Sequence, residues 1–351
     1  MILGFSFELK TLDTYMGRLF PYGTHDVIST ISSLGMVLFV FINGVQMDFS
    51  LITRTGKRAW IISIIGLFVP LCVGFIPLLT LPGRIEAIKK IHGDGIAVTV
   101  LSHSLSQFAT IASLLSELQI QNSELGRLSL SSALVSDILT TVMSTNIVAL
   151  KTSPNSTALL RNISLLFIFF VLIPSVCRPI MFWIIKRTPE GRPVKDSYIY
   201  VIVAMVFVLG IFSVKINQEF VLGAFILGLS VPEGDPLGSA LVKKLQFFGT
   251  TFFLPIFVTT CVLKADFSMD LTSYIMVSNG LVVLAIHMVK MTACFITALC
   301  CKMPVTDALC ISLILNTKGV VEVGVYNSAF DDQVLHLTFF RFKYVFSSLI
   351  I

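Results

Sequence analysis

Asp137 lies in the middle of LSLSSALVSDILTTVMSTNIVAL (128–150), where it is the only ionisable side chain in a long apolar stretch. A carboxylate at mid-bilayer depth costs roughly 2.5–3.5 kcal/mol on insertion scales, so such residues are rare and usually face a bundle interior or a water-filled path. Its oxygens suit a proton or a partly dehydrated monovalent cation, and at a buried carboxylate the two compete. The structural alternative is an Asp paired with a neighbouring helix. Lys290, in LVVLAIHMVKMTACFITALC, and Lys318, in LCISLILNTKGVVEVGVYN, share this depth signature. Lys290 lies about three turns from the end of its segment, too deep to snorkel to the interface. A buried ammonium needs an anionic partner, and Asp137 is the natural candidate for Lys290. His287, one turn before Lys290, reads as a packing residue in preference to a member of the site.

Lys318 belongs to a polar quartet, Asn316-Thr317-Lys318-Gly319, that interrupts an apolar helix halfway along. Such breaks weaken the helical ladder and commonly line a transport site. A lysine there can balance the partial charges of half-helix ends. Glu322, four residues on, makes an i,i+4 ion pair with Lys318 the structural alternative. A second interruption, Ser102-His103-Ser104 followed by Ser106-Gln107, is expected to unwind and leave hydroxyls and carbonyls free to coordinate an ion. Serines are also tolerated in membrane helices by bonding back to their own backbone, which weakens this second signal. Two interrupted helices in the two halves of a chain point to inverted repeats with one site at their interface. Asp137, Lys290 and Lys318 are expected to converge in one polar cavity with Ser106 and Ser136 beside it.

These residues need helices to carry them, and composition supplies the class. Hydrophobic residues make up 55% of the chain and charged residues 13%, with mean hydropathy +0.90. Soluble domains are about 25% charged, so the chain is all-α and polytopic in a membrane. The net charge of +5 reflects loop lysines and arginines and implies no nucleic acid. The seven cysteines have no metal-type spacing, and the adjacent Cys300 and Cys301 read as packing. No nucleotide loop, metal-ligand cluster or nucleophile–base pair falls on a sensible element. No cofactor or metal is expected, and an enzyme is excluded.

A spanning helix needs ~20 apolar residues, which predicts helices near 26–45, 59–81, 96–117, 127–150, 160–186, 197–214, 219–230, 244–263, 271–300 and 304–329. The seventh is short enough to be half a span, and the ninth must tilt. This divides the chain into a lead-in (1–25), a transmembrane domain of about ten helices (26–330) and a divergent tail (331–351). The lead-in has no basic segment followed by an apolar core, so it is not a signal peptide. Basic residues place loops 46–58 and 186–196 in the cytoplasm. The sequon Asn155-Ser156-Thr157, a weak glycosylation site at Asn155, then falls on the far side.

Four stretches carry a resemblance: GVQMDFSLITRTGKRAW (44–60), SELQIQNSELGRLSLSSALVSD (116–137), LGAFILGLSVPEGDPLGSALVKKLQFF (222–248) and LILNTKGVVEVGVYN (313–327). The chain resembles the plant cation/proton exchangers of the monovalent cation:proton antiporter-2 family, with a sodium/proton exchanger-like fold. The resemblance implies an inverted-repeat bundle with two broken helices, in which six helices move against a scaffold. It implies antiport of K+ or Na+ against H+ in a plant endomembrane or the plasma membrane, potassium transport and pH homeostasis among the roles, and a homodimer in the bilayer. It makes Asp137 the ion- and proton-binding acid, with Ser136 and Ser106 beside it and Lys290 and Lys318 balancing charge. Asn316, Thr317, Glu322 and Gln46 are supporting residues.

The chain also departs from the family. Ser136 replaces an Asn before the acid, and Ser106-Gln107-Phe108-Ala109 replaces a Thr-x-Phe-Pro run. Gln46 replaces a Glu before Met47-Asp48. Relative to the family the chain is expected to be truncated at both ends and to lack the large soluble C-terminal region. The alternative expectation is therefore a truncated, transport-inactive paralogue that serves as a structural or hetero-oligomerising membrane protein.

Overall fold

The computed structural model describes residues 24–47, 56–80, 99–152, 155–188, 194–264 apart from 233 and 235, and 273–324 apart from 320, 321 and 323. The expected lead-in up to residue 23, the tail, and the ends predicted at 96–98 and 325–329 lie outside them. The described residues form helices with no strand: α1 Thr24–Gln46, α2 Lys57–Thr80, a helical stretch over 99–104, α3 Phe108–Glu117, α4 Glu124–Thr152, α5 Ser156–Arg187, α6 Asp196–Lys215, α7 Phe220–Ser230, α8 Leu237–Gln246, a π-helical stretch Phe247–Phe253, α9 Leu254–Lys264, α10 Ser273–Cys300 and α11 Val305–Leu315. Among the described residues seven helices are long and apolar enough to cross a membrane, and the protein is an integral multi-pass membrane protein. At eleven residues α7 and α11 are each too short to span alone.

One boundary differs materially from the sequence reading. The helix expected at 244–263 begins at Leu237, because its first turns are amphipathic and hydropathy reads Lys243 and Lys244 as a loop. Lys244 instead pairs with Asp196 in the first turn of α6, both largely exposed. The helix then widens into the π stretch just before Pro255, which has no amide hydrogen to donate into an α ladder.

The chain divides into two compact units. Unit 1 comprises Met1–His25, Phe49–Ile138 and Val258–Ile351; unit 2 comprises Asp26–Asp48 and Leu139–Phe257. The hydrophobic core of unit 2 is built by Phe41 and Ile42 of α1, Phe169, Ile173 and Met181 of α5, Ile202 and Val206 of α6, and Leu222 and Leu227 of α7. α1 and α7 touch backbone to backbone: a Cβ on Gly228 would lie 2.5 Å from the Phe41 carbonyl oxygen. Small residues permit this close approach, which is how helices associate where lipid removes the hydrophobic drive. Unit 1 packs α10 against α2 and α11. It also holds the polar residues singled out above, apart from Gln46 and Asn155.

Candidate ion-binding site at two helix breaks

Both predicted breaks are present in unit 1, although Ser102-His103-Ser104, expected to unwind with the first, stay helical. The first separates the helical stretch 99–104 from α3, with residues 105–107 non-helical. The second follows α11, with residues 316–319 non-helical and Glu322 helical again. A helix end leaves backbone amides or carbonyls without partners, and burial makes each orphan costly. The side chains around the breaks answer that demand one group at a time.

The amide end of α3 is met from α4. Gln107 stands at the N-cap in extended backbone, and its own side chain makes no capping bond. The Phe108 amide donates to Asp137 Oδ2 at 2.8 Å, and the Ser106 amide donates to Ser136 Oγ at 3.3 Å. A carboxylate at a helix N-terminus is favoured by the positive end of the helix dipole. Asp137 thus acts as a cap supplied from another helix.

The carbonyl end of the 99–104 stretch is met by lysines. Lys318 Nζ donates to the carbonyls of Ser102 at 3.3 Å, His103 at 2.9 Å and Leu105 at 2.9 Å. Lys290 Nζ donates to the same Leu105 carbonyl. Lys290 is fully buried and Lys318 nearly so. Cations belong at the negative end of a helix, so the break carries a carboxylate at its amide end and ammonium groups at its carbonyl end. This corrects the expectation of carbonyls free for an ion, since the lysines occupy them. Two of the hydroxyls are likewise committed to their own turn: Ser102 Oγ donates to Thr99 O at 3.2 Å and Ser104 Oγ to Val100 O at 2.6 Å.

The second break is closed partly from the first. Ser106 Oγ donates to Leu315 O, the last carbonyl of α11, at 2.8 Å. Thr317 Oγ1 donates to Ile314 O at 2.7 Å, and Asn316 Oδ1 lies 3.0 Å from His287 Nδ1. His287 is tied into the break as well as packed edge-on against His103, with ring centroids 5.0 Å apart. Lys318 pairs with Glu322 at 2.7 Å, and the Glu322 side chain is fully buried. The i,i+4 ion pair and the break-capping role, weighed as alternatives, are therefore held by the same lysine. Gly319 permits the closest approach, because a Cβ there would come within 2.0 Å of Thr110 Oγ1. That hydroxyl donates to Gln107 Oε1 at 3.2 Å.

Asp137, Ser136, Ser106, Lys290, Lys318, Asn316, Thr317 and Glu322 are thus linked through the two breaks. Lys290 holds the other side of the first break, on the Leu105 carbonyl. Gln46 ends α1, exposed, in unit 2, and Asn155 is exposed at the N-cap of α5 in unit 2. Thr110 was not anticipated as a site residue, and Gln107 was read only as part of the polar interruption. Their spacing of three on a half-helix was the signal that would have paired them. Among the described residues no three His, Cys, Asp or Glu side chains gather as metal ligands.

The sequence profile of the transmembrane sodium/hydrogen exchanger family matches residues 1–351. The chain belongs to that family. Among plant relatives of this exchanger chain, Cation/H(+) antiporter 8 of Arabidopsis thaliana is 34% identical over 313 residues, covering 86% of this chain and 37% of the relative. Cation/H(+) antiporter 15 of the same organism is 32% identical over 320 residues, covering 90% and 38%. The exchanger chain therefore spans about two fifths of the length of these relatives. Its fold matches the solved structure of the sodium proton antiporter MjNhaP1 from Methanocaldococcus jannaschii, with TM-score 0.55, 15% identity, and coverage of 100% of this chain and 94% of that one.

Proposed function

We propose that this exchanger-family chain is a secondary active antiporter of a monovalent cation, K+ or Na+, against protons, working as a homodimer in a plant endomembrane or the plasma membrane. The observation that carries the reading is the Asp137 carboxylate held on the Phe108 amide at the first break. A carboxylate poised there can take a partly dehydrated cation or a proton, but not both. Ser136 and Ser106 support it by fixing the break, and Lys290 and Lys318 keep the carbonyl end closed. Two of the three substitutions behind the inactive reading, at Ser136 and Ala109, leave the first break formed. Ser136 still accepts from the break, and residues 105–107 stay unwound with Ala109 in place of a proline.

One proton competing with one cation fixes the sign of the pH dependence. Lowering the pH protonates Asp137 and removes the charge that holds the cation, so apparent cation affinity falls. The half-saturating concentration rises by up to about tenfold per pH unit. Expression of the full chain in yeast lacking its own exchangers, with growth scored at alkaline pH over a range of K+ and Na+, tests the reading. Wild type should restore growth and Asp137→Asn should not. Equal growth of the two removes Asp137 from the role, and no exchange by wild type at any pH favours the transport-inactive reading.

A further inference from the structure

The proposed function leaves unassigned one buried polar group at the first break. Gln107 is 3% exposed, and its Nε2 has no hydrogen-bond partner, while its other amide atom is bound by Thr110. A primary amide carries donors at one end and acceptor lone pairs at the other. Turning the amide over keeps a hydrogen bond to Thr110, with Nε2 now donating to Thr110 Oγ1. It puts Oε1 and its lone pairs where Nε2 stood. A buried polar end left unmatched costs on the order of 1–3 kcal/mol unless something outside the chain meets it. Gln107 immediately precedes Phe108, whose amide is held by Asp137. The orphan end is therefore carried by the residue next to the amide that the carboxylate holds.

We propose that Gln107 is a cation ligand and specificity residue, its amide oxygen meeting the same monovalent cation as Asp137, with Thr110 as the positioning residue that sets the amide. This rests on the antiport reading and deepens it. A carboxylate is a strong-field ligand and favours the smaller ion, which repays dehydration through closer contact. A neutral amide oxygen adds a weaker dipole, and the number and field strength of such dipoles shift preference among monovalent cations. Gln107 thereby moves the site toward K+. Thr110 is itself placed by Gly319, which leaves room for its hydroxyl, so the second break reaches the ion through two side chains of the first.

The test uses the full chain in proteoliposomes, with exchange read by a pH-sensitive dye under K+ or Na+ gradients. Gln107→Met, of similar length and without oxygen, should raise the half-saturating K+ concentration by about tenfold, as expected for losing one contact to a charged group. The Na+ value should rise less, so the K+/Na+ preference falls. Gln107→Glu, which keeps an oxygen, should retain cation affinity. Thr110→Val should move the K+/Na+ preference in the same direction by a smaller factor. A purely structural Gln107 would lower the rate and the melting temperature without moving the preference, and that result overturns the proposal. If wild type exchanges nothing, the antiport reading fails by itself. The ligand role is then decided by whether K+ raises the melting temperature of the detergent-solubilised wild type more than that of Gln107→Met. Equal protection overturns it.

Discussion

The two breaks of unit 1 are built from opposite materials. The first has no proline and no glycine between Leu105 and Gln107, and its backbone groups are met by side chains from elsewhere: Asp137 and Ser136 from α4, Lys290 from α10, Lys318 from the second break. The second carries its own breaker, Gly319, and in part closes itself, with Thr317 bonding back to Ile314. It takes one bond from Ser106 and one from His287. An unwound segment that depends on tertiary partners can be rebuilt by changing those partners, whereas one encoded locally cannot. The break that holds the carboxylate is thus the one more open to control by the rest of unit 1.

The largest expected effect separates the breaks at their shared cation. Lys318→Met removes a donor from the Ser102, His103 and Leu105 carbonyls, of which Leu105 keeps Lys290, and leaves the buried Glu322 without its counter-charge. Breaking a buried pair from one side costs about 3–5 kcal/mol, so thermal unfolding in detergent should shift far downward. Adding Glu322→Gln should recover part of the loss by removing the stranded charge, and an unshifted transition for Lys318→Met would show that the lysine does not close the first break. Next comes Gly319→Ala. Its methyl would collide with Thr110 Oγ1, an overpacking worth roughly 1–3 kcal/mol, and Thr110→Ala in the same chain should relieve it. If the two changes are additive, the breaks do not touch as described. The smallest is Ser106→Ala, which removes one buried bond to Leu315 at about 1 kcal/mol. A change as large as that for Lys318→Met would mean that the second break depends on the first as heavily as the reverse.

Much of this was legible in the sequence because charge in an apolar helix is expensive. Asp137, Lys290 and Lys318 stand out for that reason, and the polar quartet at 316–319 marks its own break. The Ser and Gln cluster at 102–107 pointed to the other break even without the proline that the resemblance led one to expect. Three things were less visible. The first turns of α8 look like a loop because Lys243 and Lys244 interrupt the hydropathy, although they lie on one face of a helix. Lys318 offered two readings, an ion pair or a helix-end cap, and a long side chain with three donors satisfies both at once. The carbonyls that the lysines bind carry no sequence signature at all, so a break expected to offer oxygens to an ion instead has several of them occupied by ammonium groups.

That last point has a practical consequence at Leu105. Lys290 and Lys318 both end on one oxygen, and it belongs to the main chain. Replacing Leu105 by alanine, valine or methionine alters a buried apolar side chain and leaves that oxygen in place. A mutational scan would score position 105 as ordinary packing and pass over the atom on which two positive charges meet. Only chemistry that edits the backbone, an ester in place of the 105–106 amide for instance, weakens that acceptor directly. The focal atom of this polar network is therefore one that the genetic code cannot substitute.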